Sequence, residues 1–109
     1  LLVTASRNAK LECGWEMLAV LAKPESHYNP EAVNSVTHCR GLLQIHPCWA
    51  DDMRAAGLDF YKAQDNTTWG AMMIQKKLNT GSSLYNAISD WSVRSKELMR
   101  RYYELVELR

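Results

Sequence analysis

No apolar run in the chain approaches the roughly 20 residues needed to cross a bilayer, so no membrane span is expected in this segment. An excess of one charge is missing too, with 13 Lys and Arg against 12 Asp and Glu and a net charge of +1. A surface so near neutrality makes no electrostatic case for nucleic acid or for an acidic membrane face. Cysteine is scarce and odd in number: Cys13, Cys39 and Cys48, with no C-x-x-C pair. That argues against a zinc site and against a full disulfide framework. Clean strand alternation over more than a few residues, internal repeats and low-complexity tracts are all lacking. What remains is a mostly helical chain.

With 109 residues, 47% hydrophobic and 23% charged, the composition is that of an ordinary globular protein with one core. Residues 1–109 are therefore expected to form a single domain. The chain opens Leu1-Leu2 without an initiator methionine. It is accordingly expected to belong to a longer protein, so the absence of a targeting segment carries no information.

Apolar residues at helical spacing predict a first helix over Ser6–Ala22, with Leu11, Trp15, Leu18 and Ala22 facing inward and Pro24 ending it. Asn29 as cap and Pro30 at the first position predict a short helical turn through Val33. A helix over Pro47–Ala56 should stop at Gly57, and Asp65-Asn66 should cap one running through Leu78. Leu84, Ala87, Ile88 and Trp91 mark a short amphipathic helix. Ser95 opens the last, with Leu98, Tyr102, Leu105 and Val106 inward. The expected fold is mainly α, a compact bundle of about five to seven helices with at most a vestigial hairpin near Ser35–Arg40.

The stretch from Lys23 to Pro47 stands apart. It opens with Glu25 at the end of an apolar helical run and closes with the glycine-led segment Gly41-Leu42-Leu43-Gln44-Ile45. Turn formers lie between, at Asn29-Pro30 and Asn34-Ser35. Glu25-Ser26 followed by Asn-Pro, Ala-Val-Asn, GLLQI and Pro47 resembles the signature of soluble lytic transglycosylase (SLT) domains. These belong to the α+β lysozyme-like superfamily, related to goose-type lysozymes, and cleave peptidoglycan glycan strands. Later matches are weaker and count by their order: Asn66 with Gly70, Ala87 through Ser92, and Tyr102 or Tyr103 with Val106.

The resemblance implies that Glu25 is the catalytic acid and that Ser26 helps to hold the site. It implies substrate contacts for Gln44, for Asn34 on the cleft rim and for Trp91, which stands where the family carries tyrosine. Gly41 is expected to let backbone approach a sugar closely, and His46 occupies a position where methionine is frequent. Departures from the family pattern are Pro24 directly before the acid, a longer Asn34–Gly41 loop, Cys39-Arg40 before the glycine, and Trp91-Ser92 in place of Tyr-Asn. Implied too are a peptidoglycan partner and a periplasmic, cell-envelope or virion-associated setting. No cofactor is implied.

A glycosidic oxygen leaves poorly unless protonated as its bond breaks, so the acid must keep its proton near neutral pH. Burial beside Leu42, Leu43 and Ile45 would raise the Glu25 carboxyl. No second acid has a positional claim to face it, although folding could bring Asp51, Asp52 or Asp90 near. A single carboxyl fits the substrate-assisted route, in which the sugar's N-acetyl group attacks the anomeric carbon, and 1,6-anhydromuramyl ends are the expected product.

Two alternatives share these residues, a lysozyme-type hydrolase and an inactive glycan-binding or structural domain of a virion or secretion assembly. Tryptophans at helical spacing are more often core than sugar platforms, and of the four only Trp91 has a positional argument for the cleft. His27, His38 and His46 fall within one segment but lack metal-ligand spacing, so no metal is expected. Arg94, Lys96, Arg100 and Arg101 read most simply as a solvated helix face. Cys39 and Cys48, flanking GLLQI, are open either to bridging or to remaining thiols.

Overall fold

The structure, a computed structural model, describes residues 1–107. Its helices are α1 (Leu2–Asn8), α2 (Trp15–Ser26), a 3₁₀ turn (Pro47–Trp49), α3 (Ala50–Ala55), α4 (Ala63–Asn79), α5 (Leu84–Ser89) and α6 (Ser95–Glu107). Antiparallel bridges pair Val33 with Arg40 and Arg40 with Ile45, the vestigial hairpin expected beside a mainly α fold.

The predicted first helix is two. Lys10 (φ 52°) and Gly14 (φ 78°) turn the chain through left-handed backbone, so that α1 can double back onto α4. Gln75 of α4 fastens this link, accepting from the Glu12 amide at 2.9 Å and donating to its carboxylate at 3.1 Å. The break also shifts the helical phase: Leu11, Leu18 and Ala22 are buried, while Trp15 is 40% exposed.

Pro24 does not end α2, which runs on to Ser26 and closes at His27 in left-handed conformation (φ 51°). Proline inside a helix costs about 3 kcal/mol through a lost donor and a ring clash. Packing offsets this, because Met17, Leu18, Leu21 and Ala22 are fully buried and Ser26 beyond the proline is buried as well.

The helical turn expected over Pro30–Val33 is a β-turn instead. Ala32 N–H donates to Asn29 C=O (3.1 Å), with Pro30 at the second position, and the Asn29 side chain accepts from Glu31 N–H at 2.9 Å. That local bond competes with helix. Likewise α4 begins before the expected Asp65-Asn66 cap. The Asp65 carboxylate accepts from Asp59 N–H at 2.9 Å, and Asn66 is buried one turn inside.

The core joins Met17, Leu18 and Leu21 of α2 with Leu43, Met53, Ile74 of α4, Ile88 and Leu98. Tyr102 of α6 donates its hydroxyl to the Cys13 carbonyl at 2.9 Å, tying the last helix to the α1–α2 link. Cys13, Cys39 and Cys48 are free thiols, and burial pushes the Cys13 thiol up to about 11. Among the described residues no helix is long and apolar enough to cross a membrane.

Candidate active site

Glu25 sits in the last turn of α2, half-buried, on the wall of a solvent-open cavity of about 320 Å³. Gln44, Ile45 and His46, Met73 and Lys77 of α4, and Trp49, Asp90 and Trp91 complete its lining. Loss of water around Glu25 raises its carboxyl above the ordinary range, because burial disfavours the anion.

The GLLQI segment makes no regular structure, so its backbone polar groups need individual partners. Ser26 shares its one hydroxyl hydrogen between Ala22 C=O (3.0 Å) and Leu42 C=O (2.8 Å). Trp91 Nε1–H donates to Leu43 C=O at 2.9 Å. The Gln44 amide donates to Gly41 C=O (3.0 Å) and Ala32 C=O (3.2 Å), which leaves its Oε1 for a ligand. Gly41 N–H reaches Ala32 C=O, while Arg40 and Ile45 exchange both backbone bonds. Glu25 is thus followed by a residue bound directly to the loop that forms the cavity wall.

Helix α4 backs this loop closely. A Cβ on Gly41 (φ 90°) would stand 2.2 Å from Asn66 Oδ1, and one on Gly70 would stand 2.5 Å from Leu43 Cδ1. The space that Gly41 leaves is therefore filled by Asn66, and Gly41 itself is buried. Asn66 is held by donating to Phe60 C=O at 3.1 Å.

Among the residues singled out in the sequence, Glu25, Gln44, His46 and Trp91 come together on the cavity. Ser26 lies behind it, buried. Asn34 lines no part of it; its side chain accepts from Val36 and Thr37 N–H (2.8 and 2.9 Å) and shapes its own exposed loop. His46 accepts from Cys48 N–H at Nδ1 (3.0 Å) and caps the 3₁₀ turn, so a neutral ring presents Nε2–H.

Trp49, Met73 and Lys77 were not foreseen as cavity residues. Trp49 and Met73 sit in amphipathic patterns that read as core, and Lys77 reads as a solvated helix charge. Asp90 was one of three acids that folding could deliver, and it is the one that shares the Glu25 cavity, where it pairs with Lys77. Asp51 is exposed and paired with Arg54 at 3.1 Å. No group of three His, Cys, Asp or Glu side chains suited to a metal occurs among the described residues.

A mainly helical domain with a desolvated glutamate behind a glycine-led loop is of lysozyme-like type. Residues 4–91 match the model of the transglycosylase SLT domain, and the chain belongs to that family. The match ends at Trp91, so the resemblance drawn for Tyr102, Tyr103 and Val106 lies outside it. No match was found among curated proteins or among solved structures. At the family level the function is peptidoglycan-related, of lytic transglycosylase type, and exerted outside the cytoplasm.

Proposed function

We propose that this domain cleaves the β-1,4 bond between N-acetylmuramic acid and N-acetylglucosamine, with Glu25 as the single catalytic carboxyl and 1,6-anhydromuramyl ends as product. The observation that carries this is the half-buried Glu25 carboxyl, raised by loss of water, on a cavity that it shares with Gln44, His46 and Trp91. Protonated Glu25 gives its proton to the glycosidic oxygen as the bond breaks. The muramyl N-acetyl oxygen attacks the anomeric carbon in the same step. The Glu25 carboxylate then takes the proton of the C6 hydroxyl, whose oxygen displaces the N-acetyl oxygen and closes the ring without water. Gln44 Oε1, His46 Nε2–H and the Trp91 ring face the sugars in this reading, and Ser26 positions the loop. The domain acts in the periplasm, in the cell envelope or on a virion.

One observation favours a second reading, hydrolysis, since Asp90 lines the same cavity. Its ion pair with Lys77 occupies the carboxylate and weighs against its use as a base toward water. Mass spectrometry of digested peptidoglycan decides between them. Anhydro ends, lighter by one water, support the transglycosylase. Predominantly reducing ends that disappear in Asp90→Asn establish the hydrolase. Wild-type protein that sediments with cell wall without releasing fragments is a binder.

A further inference from the structure

The chain as a whole is close to neutral, but its charges are not evenly spread. Lys23 and His27 at the end of α2 meet Arg94 and Arg101 of the α6 region around a notch of about 120 Å³. Arg94 and Glu97 also line a surface cavity of about 500 Å³, together with Lys96 and Arg100. Five of the 13 lysines and arginines thus line these two cavities, against one of the 12 acids. That acid, Glu97, already accepts from Arg101 at 2.9 Å, and Arg100 pairs with Glu104 at 2.8 Å. Lys23, Arg94 and Lys96 are exposed and have no ion-pair partner among the described residues.

Helix stability does not account for this arrangement. Lys23, in the last turn of α2, has the sign that a helix C-terminus favours. Arg94 and Lys96 have the wrong sign for their place. The Arg94 carbonyl accepts the first bond of α6, from Leu98 N–H at 3.0 Å, and Lys96 follows in the first turn. Cations there oppose the positive end of the helix dipole, and an anion would offset both. Guanidinium forks bind phosphate bidentately and an ammonium adds a point charge. A tetrahedral oxyanion also meets cations from several directions at once, which the two coplanar oxygens of a carboxylate do less well. The notch is far smaller than the Glu25 cavity of about 320 Å³, a size for one such group and not for a sugar ring. No aromatic ring lines either cavity, so bases would find no stacking platform. Val93, beside Arg94, is fully exposed, but one valine is not the apolar face by which a helix lies in a bilayer.

We propose that the notch between α2 and α6 binds a phosphate group of a polyol phosphate chain, a phosphodiester polymer without bases or acyl chains. Lys23 and Arg94 hold one phosphate, and Lys96 serves its neighbour along the chain. Pro24 lines this notch while Glu25, the next residue, lines the other cavity, so the polymer is held at the same turn of α2 that carries the carboxyl. The site is independent of the cleavage reading, and its binding is measured without turnover.

The test titrates ¹⁵N-labelled protein with short poly(glycerol phosphate) and, separately, with inorganic phosphate, single-stranded DNA and phosphatidylglycerol vesicles. Poly(glycerol phosphate) should shift the amides of Arg94, Ser95 and Lys96, and bind at least about tenfold tighter than inorganic phosphate at the same residues. Its affinity should fall with salt at a log–log slope of about −2, as for three phosphate contacts. Arg94→Ala and Lys23→Ala should each weaken it about fivefold to tenfold and make the slope shallower by about 0.7. Arg94→Lys, which keeps the charge, should restore most of the loss. Lys62→Ala, in a separate cavity, should stay within about twofold of wild type. If Arg94→Ala fails to fold, Lys23→Ala carries the comparison. No shift at millimolar polymer, or affinity untouched in a folded Arg94→Ala or Lys23→Ala, overturns the proposal. So does polymer binding no tighter than inorganic phosphate, or tighter binding to DNA or to vesicles than to the polymer.

Discussion

Two parts of the cavity lining are held in shape by different means. On the Glu25 side the wall is an irregular loop whose carbonyls are bound one by one: Leu42 by Ser26, Leu43 by Trp91, Gly41 by Gln44. The α4 part of the lining, Met73 and Lys77, stands on a helix that satisfies its own backbone, so its side chains are left to vary. A loop that must keep one shape depends on named partners, so single changes should be felt there more than on the helix.

The largest effect expected is on chemistry. Glu25→Gln keeps the shape and removes the proton, so wall cleavage should fall about a hundredfold or more. The folded-state carboxyl is raised, so the stability of its protonated form is fully present below the unfolded value of about 4.3 and is lost as pH rises through the folded value. Thermal melts should therefore show Glu25→Gln gaining on wild type from acid toward neutral pH, and wild-type kcat/KM should decline through the same raised value. A variant of near-normal activity, or one that melts lower at neutral pH, removes Glu25 from its role.

Next come the glycines. Gly41→Ala meets both left-handed backbone and the Asn66 oxygen, and should cost on the order of 3 kcal/mol in denaturant unfolding. Gly70→Ala has the side-chain tips of Leu43 and Ile45 to displace, and should cost about 1–3 kcal/mol. The reverse order would mean that the helix, not the loop, is the stiffer side.

Ser26→Ala sharpens the comparison further. It strips the buried Leu42 carbonyl of its donor, at about 1–3 kcal/mol, and should lower activity as the loop loosens. Thr67→Val on α4 removes a hydroxyl that donates to Ala63 C=O at 2.8 Å, a carbonyl within the helix, and should cost less than about 1 kcal/mol. Equal losses in calorimetry would erase the distinction between the walls. Smallest of all is Asn34→Ala. That side chain serves only its own exposed turn, so stability should change by under about 1 kcal/mol with cleavage near normal. A drop in activity beyond that of Ser26→Ala would return Asn34 to the cleft rim.

The helical class was legible because apolar spacing survives any arrangement of the helices, and α5 appeared close to where Leu84, Ala87 and Ile88 placed it. The break between α1 and α2 was not. Local propensity favours continuing through Leu11, and only the docking of α1 on α4, with Gln75 waiting for Glu12, compensates for left-handed backbone at Lys10. Pro24 misled in the opposite direction, since proline ends helices by local rules and here packing on both sides carries α2 past it.

By itself the sequence determined the helical composition, the order Glu25-Ser26 then GLLQI, and family membership, because these rest on residue types and short spacings. Only the tertiary structure decided that Asp90 rather than Asp51 shares the Glu25 cavity, that Asn66 occupies the space left by Gly41, and that Trp49, packed against the core, also lines the cavity. Those outcomes depend on contacts between residues far apart in the chain. Local patterns place a residue on a face of its own helix, and the neighbour that face meets is settled by how the helices pack.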